Sequence, residues 1–501
     1  MSAIVELQEK PSQRSALLWL VPLQAAALFT VLAIISGGQT LRAWLLGAFT
    51  WAMALPLLVS LEASLIAMMW FEPVRGLLRR AQYLFVDYAS QDPIHLVTPI
   101  VTVLAFAMLL KTYGTGLFRA TPLAGPVSVL GLIYFVEVFN PLQGSLFVGL
   151  AGALFMLVPL VWFYFGQSVK EEFVARALKI VIVLGILTSL YGLYQLVVGY
   201  PAFEQYWIDN TDYYDSIAVG HIKRALATFS SAEEWGRYTE IGAIAAFGFF
   251  AGAKRFLGRG LWLASGAALS VSVLLTGQRT AVFGLLLGVA MLVLLGARTW
   301  RGTIVRLTML LLPLVLTVVL VKAPAADDMW SKGDTETFGT LLSHTQRGTL
   351  KPADEESFQA RLGNWTYLVT RVIPYRPFGA GLGAGSLSEA RFNQDSNLPA
   401  IDSFILTVAV ACGIPGALLF CWILFRSTWL SISAVRRAPP ETNILLKRIV
   451  ASLMPVLILN SMFGLTFTLY SVAPIAWMLI GWISAETSRS RRAAAREIIT
   501  I

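Results

Sequence analysis

Long apolar runs recur along almost the whole chain, and they limit its possible folds more than any other feature. A run of about 20 apolar residues can cross a bilayer as one helix. Apolar runs that we interpret as membrane spans occupy residues 15–35, 44–70, 93–110, 123–139, 145–165, 177–198, 241–253 with the residues before it, 261–276, 281–295, 307–320, 404–425, 449–463 and 465–483. Hydrophobic residues make up 56% of the 501 positions and charged residues only 13%, which leaves too little polar surface for a soluble protein. The sequence therefore predicts an all-α polytopic membrane protein with about 12–14 transmembrane helices.

The region before residue 92 leaves the helix count open. Two apolar runs are obvious there, but an odd number of crossings is needed to keep the N-terminus in the cytoplasm. Either a third, weakly hydrophobic helix lies between residues 61 and 88, or the chain enters the membrane without crossing it. Arg75, Arg79 and Arg80 in this region indicate a cytoplasmic surface.

Basic residues are concentrated in short connections and in the tail. The basic segments are KRFLGR (254–259), ARTWRGTIVR (297–306), RSTWLSISAVRRAPP (426–440) and SRSRRAAAR (488–496). All four fall on one side of the membrane, which the positive-inside rule assigns to the cytoplasm. The net charge of +9 is explained in this way. We therefore expect membrane lipids as partners and no nucleic acid.

A long polar insertion between Val321 and Asp402 divides the chain. We predict an N-terminal transmembrane bundle at 1–322, a large external loop at 323–401, and C-terminal transmembrane helices with a basic cytoplasmic tail at 402–501. Apolar residues at spacings of three and four predict an amphipathic helix in the loop, lying on the membrane or on the bundle. They are Phe358, Leu362, Trp365, Val369 and Val372. The glycine-rich GAGLGAG at 379–385 predicts a flexible turn or a backbone nest for an anion.

Three arginines near the predicted outer surface are candidates for binding phosphate. Arg279 lies in a short turn between two spans, Arg224 precedes a span, and Arg361 is one turn before Trp365. A guanidinium can bind phosphate oxygens through two parallel hydrogen bonds. The alternatives are an interfacial side chain for Arg279 and solvated loop charges for Arg224 and Arg361.

Asp402 is the acidic candidate, because it stands at the start of a long apolar helix. It could cap that helix, since Asp is a favoured N-cap residue. It could also be a general base that orients an acceptor hydroxyl. The three histidines are scattered and no acidic pair has ligand spacing, so we expect no metal site and no other cofactor.

Several short motifs together resemble the bacterial O-antigen ligase and polysaccharide polymerase superfamily. They occur in an order typical of that superfamily, around a large loop. They are GQRTAVFGLLLG, RALATFSSAEEWGRY, RLGNWTYLVTRVIPYRPFGAGLGAG, IDSFILTVAVACGIPG and the FNP of residues 139–141, the last being similar to exopolysaccharide polymerases.

The resemblance implies a metal-independent, membrane-embedded glycosyltransferase with an undecaprenyl-diphosphate-linked oligosaccharide as donor and acceptor. Arg224, Arg279 and Arg361 would bind the diphosphate, and Arg279 and Asp402 would be catalytic. O-antigen ligases typically have His-Asn where this chain has Asp402 and Ser403, which favours a polymerase of exported polysaccharide. The multi-pass enzyme would lie in the bacterial inner membrane with its site facing the periplasm, and a chain-length regulator is a further expected partner.

Two alternatives stay open. One is a ligase that transfers the glycan to lipid A core or to protein. The other is a transporter of lipid-linked oligosaccharides. A transporter is expected to place charges along a cavity in the middle of the membrane, whereas these arginines are grouped at one face.

Overall fold

A computed structural model describes residues 40–87, 92–211, 218–219, 222–296, 356–386, 398–399, 401–438 and 444–500. The α-helices are α1 Thr40–Ala54, α2 Leu61–Ala81, α3 Val97–Tyr113, α4 Ala124–Glu137, α5 Leu146–Leu160, α6 Trp162–Ser168, α7 Glu171–Val197, α8 Ala202–Asp209, α9 Ala232–Gly252, α10 Phe256–Leu275, α11 Arg279–Gly296, α12 Glu356–Tyr367, α13 Phe404–Arg436, α14 Leu445–Met462 and α15 Ala473–Thr500. Two two-residue strands, β1 Ala218–Val219 and β2 Ile222–Lys223, pair antiparallel.

The predicted all-α membrane fold is confirmed. Eight helical segments in the described part of the chain are long and apolar enough to cross a membrane, and α4 is a shorter apolar helix. The predicted spans at 15–35 and 307–320, and most of the polar loop after residue 322, lie outside the described residues. The total number of spans and the domain boundaries therefore remain predictions.

A third helix does lie between residues 61 and 88. Helix α2 begins at Leu61, and the hydroxyl of the preceding Ser60 caps it by accepting from the Ala63 N–H. Charged residues Glu62, Glu72, Arg75, Arg79 and Arg80 dilute its apolar character. Its first turn pairs with the start of α7 through Arg176 and Glu62 at 2.8 Å. We call the end of the bundle defined by this pair the Glu62 end.

The last turns of α2 lie at the opposite end of the bundle. There Arg80 Nε donates to Glu204 at 2.6 Å, and its Nη2 donates to the Ala227 carbonyl at 2.6 Å. The Arg224 segment, predicted to be external, thus lies beside Arg80. Arg75, Arg79 and Arg80 were predicted to lie on the opposite side of the membrane from the Arg224 segment. That prediction was wrong, because Arg80 contacts the residues around this segment. The error arose because Arg75 and Arg80 pair with buried carboxylates, and Arg80 also donates to backbone carbonyls, instead of facing lipid headgroups.

Helix α9 is the central helix of the bundle. Almost every residue from Ala232 to Phe249 is buried, and the helix packs on α7, α10, α11 and α14. Small residues make this close packing possible, since a Cβ at Gly242 or Gly248 would press on Leu269 or Ile449. The first turn of α9 lies at the same end of the bundle as Asp402, because the Glu233 carboxylate accepts from the Leu465 N–H and the Gly464 carbonyl accepts from the Phe404 N–H. We call this end the Asp402 end.

The glycine-rich loop is a buried structural element, so the flexible turn predicted for it was wrong. Helix α13 breaks at Gly413, whose φ of 71° leaves carbonyls of the preceding turn without helical partners. The Ala380 and Gly381 N–H groups donate to the Val410 and Ala411 carbonyls at 2.9 and 3.2 Å. Backbone polar groups inside a membrane protein must find such partners. The loop therefore completes the broken helix.

Gln143 holds the other side of this loop. Its Oε1 accepts from the Gly383 N–H at 3.1 Å, and its Nε2 donates to the Val138 carbonyl at 2.7 Å. The Leu382 N–H donates to the Glu137 carbonyl at 3.0 Å. The loop is thus fixed between α4, α5 and α13, where the N–H groups of residues 379–384 donate to oxygens of the protein itself.

Gly381→Ala is expected to destabilise the protein. The φ of 109° at this position costs a side-chain-bearing residue about 1–3 kcal/mol. The new Cβ would also lie 2.6 Å from Gln143 Oε1, and such overpacking costs about 1–3 kcal/mol more. Thermal unfolding in detergent measures the change. Gly258→Ala is the control, because that helical position is open and alanine there should be neutral or stabilising by up to about 1 kcal/mol. Equal melting temperatures for the two variants would contradict the buried loop.

Candidate active site

Arg361 and Trp365 both bind the Asp402 carboxylate. They are four residues apart on α12 and so share one face of the helix. Arg361 Nε donates to Asp402 Oδ2, and Trp365 Nε1 donates to Asp402 Oδ1 at 2.9 Å. The Arg361 and Asp402 side chains are 37% and 39% exposed. The carboxylate is therefore held in one orientation while remaining accessible to a ligand.

Asp402 is not the cap of α13. Ser403 is the N-cap residue, and its hydroxyl accepts from the Leu406 N–H. The same hydroxyl donates to the Ser461 carbonyl at 3.3 Å. The capping interpretation of Asp402 was wrong, because a neighbouring residue performs that role and leaves the carboxylate to α12.

The predicted amphipathic helix exists, but its buried face differs from the predicted one. Leu368 and Val372 are buried against the bundle, and Trp365 stacks on Phe463 with ring centroids 5.6 Å apart. Phe358, Leu362 and Val369 are exposed instead. The side of the helix that faces the bundle includes Arg361 and Trp365, because both bind Asp402 next to α13.

Arg279 is the first residue of α11, and its side chain is half-buried. The preceding turn is as short as predicted: α10 ends at Leu275, and Gly277 has a φ of 66°. The adjacent Thr280 hydroxyl accepts from Arg237 Nη2 at 2.6 Å. Arg279 is thus fixed at the Asp402 end by its own short turn and by the network of its neighbour.

Arg224 belongs to a segment that docks on α2. The Thr228 hydroxyl donates to the Pro73 carbonyl, and the Leu77 N–H donates to the Thr228 carbonyl at 2.8 Å. These two bonds hold the segment at the proline turn inside α2, where Gly76 leaves room for the backbone of Phe229. The segment is therefore rigid where it follows Arg224.

Gln195, at the end of α7, and Tyr200, which follows that helix, both bind the Arg224 segment. The Tyr200 hydroxyl donates to the Arg224 carbonyl at 2.5 Å, and burial raises the pKa of this phenol, which keeps it a donor. Gln195 Oε1 accepts from the Ala227 N–H at 2.7 Å. The structure thus joins Arg361 directly to Asp402 and places Arg279 at the same end of the bundle. The contacts that hold the Arg224 segment come from α2 and α7.

One known family matches the middle of the chain. Residues 263–421 match the family model described as O-antigen ligase. We call residues 263–421 the O-antigen ligase domain, after the family that they match. The resemblance inferred from the short motifs is confirmed, and the domain supports glycan transfer of the ligase or polymerase type. No curated protein was found to match the chain.

The O-antigen ligase domain contains three of the four predicted site residues. Arg279, Arg361 and Asp402 lie within 263–421, and Arg224 lies before it. The domain begins inside α10 and ends inside α13. Helices α9 and α14, which complete the Asp402 end, are therefore contributed by the chain on either side of the domain.

A polar network beside the O-antigen ligase domain was missed by the sequence analysis. It comprises Glu233, Arg237 and Glu240 of α9 together with Asn460 of α14. Asn460 donates to Glu240 Oε2 at 2.8 Å, and its Oδ1 accepts from Arg237. The three α9 residues follow the spacing i, i+4, i+7, which places them on one helix face. That spacing was visible in the sequence, but the apolar run at 241–253 begins only after these charges, and no role was predicted for them.

Proposed function

We propose that the protein is a polysaccharide polymerase. It transfers an undecaprenyl-diphosphate-linked glycan to a sugar hydroxyl of an incoming lipid-linked repeat and so lengthens an exported polysaccharide. The observation that carries the proposal is the half-exposed Asp402 carboxylate, held by Arg361 and Trp365 at the end of the bundle where Arg279 also lies. The O-antigen ligase domain supports the reaction class.

Asp402 acts on the acceptor in this mechanism. Each oxygen of an ionised carboxylate has two acceptor sites, and one on each is taken by Arg361 or Trp365. The remaining sites can accept the proton of a sugar hydroxyl. The hydroxyl oxygen then forms a bond to the anomeric carbon of the donor, and the bond from that carbon to the diphosphate oxygen breaks.

The arginines act on the leaving group. The lipid diphosphate departs with the electron pair of the broken bond, so negative charge develops on it. Guanidinium groups fixed at that position stabilise the charge in the transition state. Arg361 binds Asp402 through Nε, and in this proposal its two Nη groups bind phosphate oxygens. Arg279 and Arg224 are the further diphosphate ligands, and no metal ion takes part.

The Asp402 end faces the periplasm of the inner membrane in this proposal. The connection between α9 and α10 and the end of α13 both lie at the opposite, Glu62 end. Lys254, Arg255, Arg436 and Arg437 are exposed there. Exposed basic residues at one end support a cytoplasmic location for that end.

Purified protein in lipid nanodiscs, given only an undecaprenyl-diphosphate-linked repeat, tests the function. We expect a ladder of lengthening glycans, with one undecaprenyl diphosphate released for each new linkage. A ligase would form product only after lipid A core or an acceptor protein is added. A transporter would form no new glycosidic bond but would move a labelled lipid-linked repeat across vesicles. Either of these results would replace the polymerase assignment.

A further inference from the structure

Arg237 is a buried cation that joins three helices at the Asp402 end. Its side chain on α9 is 1% exposed. Nη2 donates to the Thr280 hydroxyl of α11 at 2.6 Å, and Nη1 donates to Asn460 Oδ1 of α14. Glu233 and Glu240, one turn away on either side along α9, lie 3.8 and 3.7 Å from the guanidinium. Each end of the planar group is therefore used by a different neighbouring helix.

Stability alone is a weak reason for such an arrangement. A buried ion pair is often no more stabilising than well-packed apolar residues of similar volume, and charges inside membrane bundles usually mark function. The two carboxylates that balance Arg237 are on its own helix. The bonds to Thr280 and Asn460 do something different, because they fix the ends of α11 and α14 relative to α9.

The bonds of Arg237 to Thr280 and Asn460 both lie close along the structure to a residue of the proposed reaction. Thr280 follows Arg279 directly. On the α14 side, the Ser461 carbonyl accepts from the Ser403 hydroxyl at 3.3 Å, and the Gly464 carbonyl accepts from the Phe404 N–H at 2.9 Å. Ser403 and Phe404 are the two residues that follow Asp402 in the chain. The backbone at Gly464 also passes close to Arg237, since a Cβ there would lie 2.9 Å from Nη2.

We propose that Arg237 is a positioning residue, which sets Arg279 and Asp402 at the mutual distance that glycan transfer requires. It touches neither substrate. The proposal rests on the proposed function, because it assigns the diphosphate to Arg279 and the acceptor hydroxyl to Asp402. A lysine at position 237 would keep the charge but could not reproduce the planar fork that reaches both Thr280 and Asn460.

The first test is kinetic. Arg237→Lys should lower kcat by about 10- to 100-fold, in line with small misplacements of catalytic groups, and should change KM for the lipid-linked donor less than threefold. Combined with Asp402→Asn, its effect should be far smaller than multiplicative, because a base that is absent cannot be misplaced. The same shortfall is expected with Arg279→Ala.

Arg42→Lys is the matched control. Arg42 is equally buried, and it binds the Asp87 carbonyl and faces the Tyr83 ring. Its replacement should reduce the yield of folded protein without changing kcat per folded molecule. Arg237→Lys with normal kcat, or with effects that multiply fully with both Asp402→Asn and Arg279→Ala, would overturn the positioning role.

A second readout does not depend on activity. Spin labels at Phe283→Cys of α11 and Met462→Cys of α14, both exposed positions, report the distance between the helix ends that Arg237 joins. The native cysteines are first replaced by Cys412→Ala and Cys421→Ser. The label distance should shift or broaden in Arg237→Lys and stay unchanged in Arg42→Lys. An unchanged distance in Arg237→Lys would refute the inference even if the wild-type protein polymerises glycans, whereas a wild-type protein without any transfer would refute the proposed function itself.

Discussion

Replacing Asp402 by asparagine should lower the rate of glycan transfer by about 10²–10⁴-fold, the range typical of losing a general base. Asparagine has nearly the same size and can still accept from Trp365 Nε1, but it cannot take a proton from the acceptor hydroxyl. Folding should be preserved, because Ser403 and not Asp402 caps α13. Arg361 loses its partner, and since that pair is more than one-third exposed the cost to stability is about 0–1 kcal/mol.

The measurement is a single-turnover assay with purified variant and lipid-linked repeats, normalised to folded protein. Asp92→Asn is a suitable control. Like Asp402, Asp92 lies close to an arginine, with Arg79 3.8 Å away, and it caps a helical turn by accepting from the Ile94 N–H. Its replacement should leave the rate of transfer unchanged, since Asn caps as well as Asp. Polymer formed by Asp402→Asn at the wild-type rate would show that the carboxylate only holds α12 in place.

Local spacing was enough to predict several parts of this structure. The apolar runs gave the transmembrane helices, and the short polar interval around Gly277 gave the turn before Arg279. The four-residue spacing of Arg361 and Trp365 put both side chains on one helix face. Each of these features depends on neighbours within a few residues, which a single sequence records directly.

The role of Asp402 depends on residues far away in the chain. Asp402 and Ser403 are both good N-cap residues, and nothing local decides between them. Asp402 is drawn away from the cap position because Arg361 and Trp365, which lie 41 and 37 residues earlier in the chain, bind its carboxylate. The burial of residues 379–385 likewise depends on distant residues, namely on Gly413, where α13 breaks, and on Gln143.

Charged residues obscured the full extent of two helices in the hydropathy pattern. Arg75 and Arg80 in α2, and Glu233, Arg237 and Glu240 in α9, reduce mean hydropathy below that of an ordinary span. In the structure these charges neutralise one another or bind backbone carbonyls inside the bundle. Tertiary contacts decide whether a charged residue is buried beside a partner, and hydropathy does not record them. The charged end of α2 was therefore predicted to be cytoplasmic, and the charged start of α9 was left outside the apolar run at 241–253.

Arg279 should be the least replaceable of the three candidate arginines. Its short turn and the bond of Thr280 to Arg237 fix it, whereas Arg361 shares its charge with Asp402, and the contacts that hold the Arg224 segment come from α2 and α7. It also begins α11, where the helix dipole favours an anion. Loss of one preorganised donor to a developing anion typically costs about 10²–10³-fold in kcat, or about 2.7–4 kcal/mol of barrier. We expect a loss of this size from Arg279→Ala.

Lysine should rescue little of that loss, because a point charge cannot form the two parallel bonds of a guanidinium to phosphate oxygens. Rates at saturating donor and inhibition by free undecaprenyl diphosphate should be measured together. Both Arg279→Ala and Arg279→Lys should bind this product more weakly than the wild type. Arg255→Ala, an exposed arginine at the Glu62 end, should match the wild type in both measurements. Near-wild-type polymer output from Arg279→Ala at equal membrane abundance would remove Arg279 from the site and leave Arg361, which binds Asp402, as the stronger candidate for the diphosphate ligand.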